Sequence, residues 1–146
     1  MLAKNTVYFS LAAMAPILQS ATAAVFGCQI PGAHICSVIT VAGAFGNPIT
    51  GDVDGSGAGV TITNGDCESI VVSGKVEPQS PGFYGDFHTT YGTELLYWAD
   101  SIGHANVRNI NFHYLATDQW YYQSGCSKRT LGFDPAYTVV QCNFPC

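Results

Sequence analysis

Basic residues are scarce in this chain: five lysines and arginines stand against ten aspartates and glutamates, and charged residues make up only 10% of its 146 positions. So few cations cannot neutralise a phosphate backbone, which argues against sequence-independent nucleic-acid binding, and DNA is not an expected partner. Cys-x-x-Cys and Cys-x-x-His pairs are absent, so the ligand spacing of a zinc knuckle is missing, and no metal or cofactor is expected. No serine occupies a Gly-x-Ser-x-Gly elbow, and an even cysteine count leaves no spare thiol, which removes the usual nucleophiles of covalent hydrolysis. There is no Asn-x-Ser/Thr sequon, so N-glycans are not expected. Long apolar runs are lacking too: the longest, residues 7–18, is broken by Ser10 and Pro16 and is too short to span a bilayer.

That short run has another reading. Lys4 supplies a positive start, residues 7–18 an apolar centre, and Ala21-Thr22-Ala23 the small residues that a signal peptidase accepts. Residues 1–24 are therefore predicted to be a cleaved signal peptide, and residues 25–146 a single secreted, extracellular domain with no membrane span. Loss of Lys4 leaves four basic against ten acidic side chains, a formal charge of −6. All six cysteines, Cys28, Cys36, Cys67, Cys126, Cys142 and Cys146, lie beyond the cut. In a secreted domain of roughly 120 residues they read as three disulfides, each worth about 2–4 kcal/mol. Cys126 and Cys142 flank two strand candidates and are predicted to pair. Cys28 or Cys36 would pair with Cys67 or Cys146, tying chain ends to the body.

Strand signals dominate. Residues 34–45 carry Ile35, Val38, Ile39 and Val41 and stop at Gly46-Asn47-Pro48. Residues 60–63 and 70–73, separated by Asn64-Gly65, resemble a hairpin with Cys67 in its connection, and residues 78–85 read as a proline-glycine loop. Ile110, Phe112 and Tyr114 alternate with Asn109, Asn111 and His113, and residues 120–122 and 137–141 complete the strand candidates. One helix is predicted: Thr93 as N-cap, Glu94 in the first turn, Leu95, Trp98, Ala99 and Ile102 on one face, and Gly103 as the stop. The expected fold is α+β and strand-rich, a small disulfide-stapled antiparallel sheet or sandwich with one short helix.

Several segments bear on chemistry. Asp52-x-Asp54-x-Ser56-Gly57 matches half of a calcium loop, but its twelfth position is Thr63, which offers no bidentate carboxylate, so the segment reads as a surface turn. Lys128-Arg129 is the one dibasic pair, a possible processing site that reads more simply as a polar turn. His88, Glu94, Arg108 and His113 are the candidate acid–base set. Their order resembles that of the fungal guanyl-specific ribonucleases. The resemblance implies a base for the 2′-hydroxyl, an acid for the leaving oxygen and an arginine for the phosphorane, here crowded into a short stretch. Aromatics crowd the second half, and most should fill the core. Trp120, Tyr121 and Tyr122 are the candidate binding residues, because consecutive strand residues face opposite sides and at least one ring must face out.

Leader, modest length, six cysteines, sparse charge and a terminal cysteine together resemble the small secreted cysteine-rich proteins of filamentous fungi, many of them virulence effectors. The resemblance is one of class and implies a non-enzymatic monomer that binds a host or cell-surface protein or polysaccharide. Two alternatives stand beside it: a ribonuclease-like or toxin protein, and a carbohydrate or cell-wall binding module. Exposed aromatics in a row would favour sugar binding, and a cleft joining His88 or His113 to Glu94 would favour an enzyme.

Overall fold

The computed structural model describes residues 25, 27–43, 58–103, 106–132 and 137–146. The expected leader at 1–24 and the Asp-Gly turn at 52–57 lie outside the described residues. The strands are β1 (Ile35–Gly43), β2 (Ala58–Thr63), β3 (Val71–Pro78), β4 (Phe83–Thr89), β5 (Glu94–Ala99), β6 (Ser101–Gly103), β7 (Asn106–Arg108), β8 (Asn111–Tyr114), β9 (Gln119–Tyr122), β10 (Ser127–Leu131) and β11 (Tyr137–Pro145). They form a four-stranded sheet in the order β10-β11-β1-β2 and a five-stranded sheet in the order β3-β4-β5-β8-β9, with β6 and β7 as a separate hairpin. Every named pairing is antiparallel.

The two sheets pack face to face as a sandwich. Val38, Ala42, Ile62, Val140 and Phe144 from the four-stranded sheet meet Val76, Phe87, Leu95, Tyr97, Phe112 and Tyr114 from the five-stranded one. Phe144 bridges the layers, its ring centroid 5.3 Å from Phe112 and 4.9 Å from Tyr114. The hydroxyls of Tyr97 and Thr40 share a buried hydrogen bond of 3.0 Å, so a polar tip from each sheet is satisfied by the other.

The sheets differ in what covers their outer faces. β1 is buried along almost its whole length on both sides. Its outward residues Ile39 and Val41 join Val139 in a second apolar cluster, against which Val25, Cys28, Leu131 and Tyr137 pack. The segment before β1 is held there by polar clasps: Gln29 N–H donates to Gln141 Oε1 (2.8 Å), Gln141 Nε2 donates back to the Gln29 carbonyl (2.6 Å), and the Arg129 guanidinium donates to the Gly27 carbonyl. The five-stranded sheet has no such cover among the described residues. β5 throughout, and β4 from Tyr84 onward, alternate between buried and more exposed positions, as strands with one wet face do.

Three disulfides staple this body: Cys28–Cys67, Cys36–Cys146 and Cys126–Cys142, with no free cysteine. The predicted Cys126–Cys142 pair is present, and the other two fall within the predicted alternatives. Cys28–Cys67 ties the covering segment to the connection between β2 and β3, where Val25 N–H also donates to the Cys67 carbonyl (2.9 Å).

Three expectations are corrected. The predicted helix from Thr93 to Gly103 is absent: Glu94–Ala99 is β5 and Ser101–Gly103 is β6. Among the described residues the helical content is a single 3-10 turn, Gln123–Gly125, so the fold is antiparallel β rather than α+β. Glu94-Leu-Leu-Tyr-Trp-Ala99 satisfies both periods, because its outward side carries Leu96 and Trp98 as well as Glu94, and cross-strand packing on both neighbours decides for the strand. The expected hairpin of residues 60–63 with 70–73 is also not formed. Beyond one bridge, Thr63 to Ser69, β3 leaves β2 for the other sheet and pairs with β4. A bulge between Val71 and Ser73 opens that path, followed by Gly74 at φ +127°, where any Cβ would lie 2.2 Å from the Asp86 carbonyl oxygen. The expected loop at residues 78–85 is correspondingly shorter, since β3 runs to Pro78 and β4 starts at Phe83.

Candidate functional site

The uncovered face of the five-stranded sheet presents an aromatic row. Register places Tyr84 opposite Trp98, Trp98 opposite Asn111 and Asn111 opposite Tyr122, and one step along, Asp86 opposite Leu96, Leu96 opposite His113 and His113 opposite Trp120. All have the same parity as Glu94 and so face outward. Tyr84 and Trp98 have centroids 5.3 Å apart, Trp98 and Trp120 5.1 Å, and His113 and Trp120 4.8 Å with planes inclined by 3°. The row thus runs across β4, β5, β8 and β9, and Trp120 is still 47% exposed at its end. His113 Nε2 lies 2.8 Å from Asp118 Oδ1, which fixes the imidazole beside the indole.

Hollows accompany the row. One of about 310 Å³ is lined by Pro81, Phe83, Trp98, Asp100, Asn111 and Trp120. Beside Tyr84 a smaller one of about 210 Å³ contains Lys75, Glu77 and Asp86, with Lys75 and Glu77 paired along β3. Partial burial first, then the charges of Asp86 and Glu94, hold the Tyr84 hydroxyl above the usual phenol range, so it is a neutral hydrogen-bond donor at any ordinary pH. Past Asp100, whose Oδ2 accepts from Asn109 Nδ2 at 2.6 Å, a third hollow of about 510 Å³ opens around Arg108, Gln123 and Lys128. A cleft of about 330 Å³ also opens where β2 and β3 part, lined by Val60, Val71, Val72 and Phe87, away from the row.

The candidate binding residues divide as strand alternation requires. Trp120 and Tyr122 face out, Tyr122 at 62% exposure, whereas Tyr121 turns inward and stacks on Phe112 at 4.9 Å. The candidate acid–base set does not assemble as one group. His88 and Glu94 meet across β4 and β5, Nδ1 to Oε1 3.4 Å, on an open face rather than in a cleft. His113 is engaged with Trp120 and Asp118. Arg108 stands on the β6–β7 hairpin and lines the hollow with Lys128. The dibasic pair is no turn: Lys128 and Arg129 lie in β10 opposite Val140 and Val139, and the half-buried Arg129 also donates to Gln141 Oε1 at 3.2 Å.

Sequence reasoning missed Trp98, assigned to the core side of a helix, and the grouping of Tyr84 with it. The available signal was two-residue alternation in Glu94, Leu96 and Trp98 and in Tyr84, Asp86 and His88. Among the described residues no helix is long and apolar enough to cross a membrane. No family model, curated protein or solved structure matches the chain.

Proposed function

We propose that this is a secreted, non-enzymatic binding protein of the effector type that takes a polysaccharide of a host or cell surface on the outer face of its five-stranded sheet. The observation that carries the reading is the row Tyr84–Trp98–Trp120–His113 on a broad sheet face left uncovered among the described residues. Aromatic side chains with polar tips, rigid because they pack on each other, offer contact area at little entropic cost. The carboxylates and amides along the row, Asp86, Asp100 and Asn111, are acceptors and donors suited to hydroxyl groups. The three disulfides accord with an oxidising compartment and with persistence outside a cell.

Affinity electrophoresis of the protein through gels containing a panel of soluble polysaccharides tests this. At least one polymer should retard it, and Trp120→Ala should weaken that binding at least about tenfold, roughly 1.4 kcal/mol, with unfolding little changed. Equal retardation of wild type and Trp120→Ala would refute the reading. One observation, the 3.4 Å approach of His88 to Glu94, favours a ribonuclease-like alternative. It requires RNA cleavage that Glu94→Gln abolishes while the fold is kept.

A further inference from the structure

The chain carries four basic residues beyond Lys4, and the structure spends two of them. Lys75 is paired with Glu77, and Arg129 clasps Gly27 and Gln141. Of the four, only the Arg108 and Lys128 side chains have no hydrogen-bond or ion-pair partner among the described residues, and both line the same 510 Å³ hollow although they come from different parts of the chain. In a protein with a formal charge of −5 over the whole chain, two unpaired cations converging on one concavity are an unneutralised site. An arginine fork and a lysine ammonium lining one hollow suit the oxygens of a carboxylate or sulfate. The Gln123 side chain is already engaged, its Oε1 accepting from Ile110 N–H at 2.9 Å, so the wall beneath the cations is fixed.

This hollow adjoins the aromatic one: Asn109 borders the cationic hollow and Asp100 the aromatic one, and these two side chains are hydrogen-bonded to each other. The geometry points to an anion subsite at Arg108 and Lys128 that continues the aromatic row, so that the ligand is an acidic saccharide whose carboxylate or sulfate sits in the cationic hollow. The inference rests on the polysaccharide reading above and sharpens it. It also gives the ligand a direction. At the Tyr84 end Lys75 and Glu77 offset each other and Asp86 leaves a net negative charge that repels an anion, while the opposite end attracts one.

The full disulfide-bonded protein is titrated with polygalacturonate, with the same polymer fully methyl-esterified, with heparin, and with single-stranded polyuridylate, at low and at physiological salt. Polygalacturonate or heparin should bind at least about tenfold more tightly than the uncharged ester, and the preference should shrink as salt rises. Whichever of the two shows it identifies the anion as carboxylate or sulfate. The double variant R108Q/K128Q, exposed positions whose change should leave thermal unfolding as it is, should erase the preference without altering binding of the ester. Equal affinity for the acid and its ester, or a preference that survives R108Q/K128Q, overturns the subsite. Polyuridylate binding as tight as the saccharide overturns the saccharide assignment. If Trp120→Ala is silent while R108Q/K128Q weakens binding, the aromatic reading fails and the anion site stands; the reverse pattern sinks only the anion site. No binding to any polymer refutes both.

Discussion

Tyr97 and Trp98 are neighbours with opposite fates. Tyr97 points into the core, fully buried, with its hydroxyl on Thr40, and Trp98 points out into the aromatic row. Burial drives the Tyr97 phenol well above its ordinary value, only partly offset by the Thr40 hydrogen bond. The consequence for stability follows by linkage. Above about pH 10 the unfolded chain releases this proton while the folded chain keeps it, so the unfolded state is favoured, by up to about 1.4 kcal/mol per pH unit. Chemical denaturation at stepped pH should therefore show stability falling above pH ~10. Tyr97→Phe should flatten that decline while costing about 1–3 kcal/mol at neutral pH, because Thr40 loses its buried partner. A wild-type curve no steeper than that of Tyr97→Phe would contradict this account. Tyr84 and Tyr114 are shifted in the same direction, which is why the comparison with the single variant, rather than the wild-type curve alone, isolates Tyr97.

At the scale of elements, β5 and β10 were the hardest to read. The β5 segment carries aliphatic and aromatic residues on both sides, because its outward face belongs to the aromatic row, and a segment apolar on both sides cannot announce its period. β10 hides behind Ser127-Lys128-Arg129-Thr130, polar enough to pass for a turn, yet it pairs with β11 over its full length. Its arginine is a clasp on the covering segment, and its Nε is buried without a hydrogen-bond partner among the described residues. Arg129→Ala should then cost about 1–3 kcal/mol, through lost packing of the stem and loss of the bonds to Gly27 and Gln141. A change under 0.5 kcal/mol in urea unfolding would show that the clasp contributes little. For the same reason the dibasic pair should resist processing. The secreted protein should run as one band after reduction, and two fragments ending and starting at Arg129 and Thr130 would be the contrary result.

For the whole molecule, the three bridges constrain very different lengths of chain. Cys36–Cys146 spans 110 residues and joins the ends of β1 and β11, whereas Cys126–Cys142 spans 16. In the chain-entropy description the longer closure restricts the unfolded state more, about 4.7 against 3 kcal/mol. Replacing both cysteines of Cys36–Cys146 by alanine should thus lower stability by about 1–2 kcal/mol more than replacing those of Cys126–Cys142. The opposite order in denaturant titrations would mean that pairing of β1 with β11 persists in the unfolded chain. The remaining bridge, Cys28–Cys67, holds the covering segment over Ile39, Val41 and Val139. It thereby closes one face of the sandwich, whereas the aromatic face of the other sheet stays uncovered among the described residues.

The sequence by itself determined the features that depend on near neighbours or on simple counts. Alternation through Asn111–Tyr114 and the apolar run of β1 marked strands. Six cysteines implied three bridges, and Cys126 with Cys142 could be paired because they bracket a local hairpin. The division of Trp120, Tyr121 and Tyr122 between two faces was also legible, since it follows from the two-residue period of any strand. The tertiary structure alone decided what lies beside what. Trp98 meets Trp120 across β8, and Arg108 and Lys128 come to line one hollow, because strand order and register bring together residues that share no local pattern. Which sheet face is covered by the described residues was likewise not written in either sheet. It depends on where the segment ahead of β1 is tied down, and that is set by Cys28–Cys67 and the Arg129 and Gln141 clasps, contacts between residues far apart in the chain.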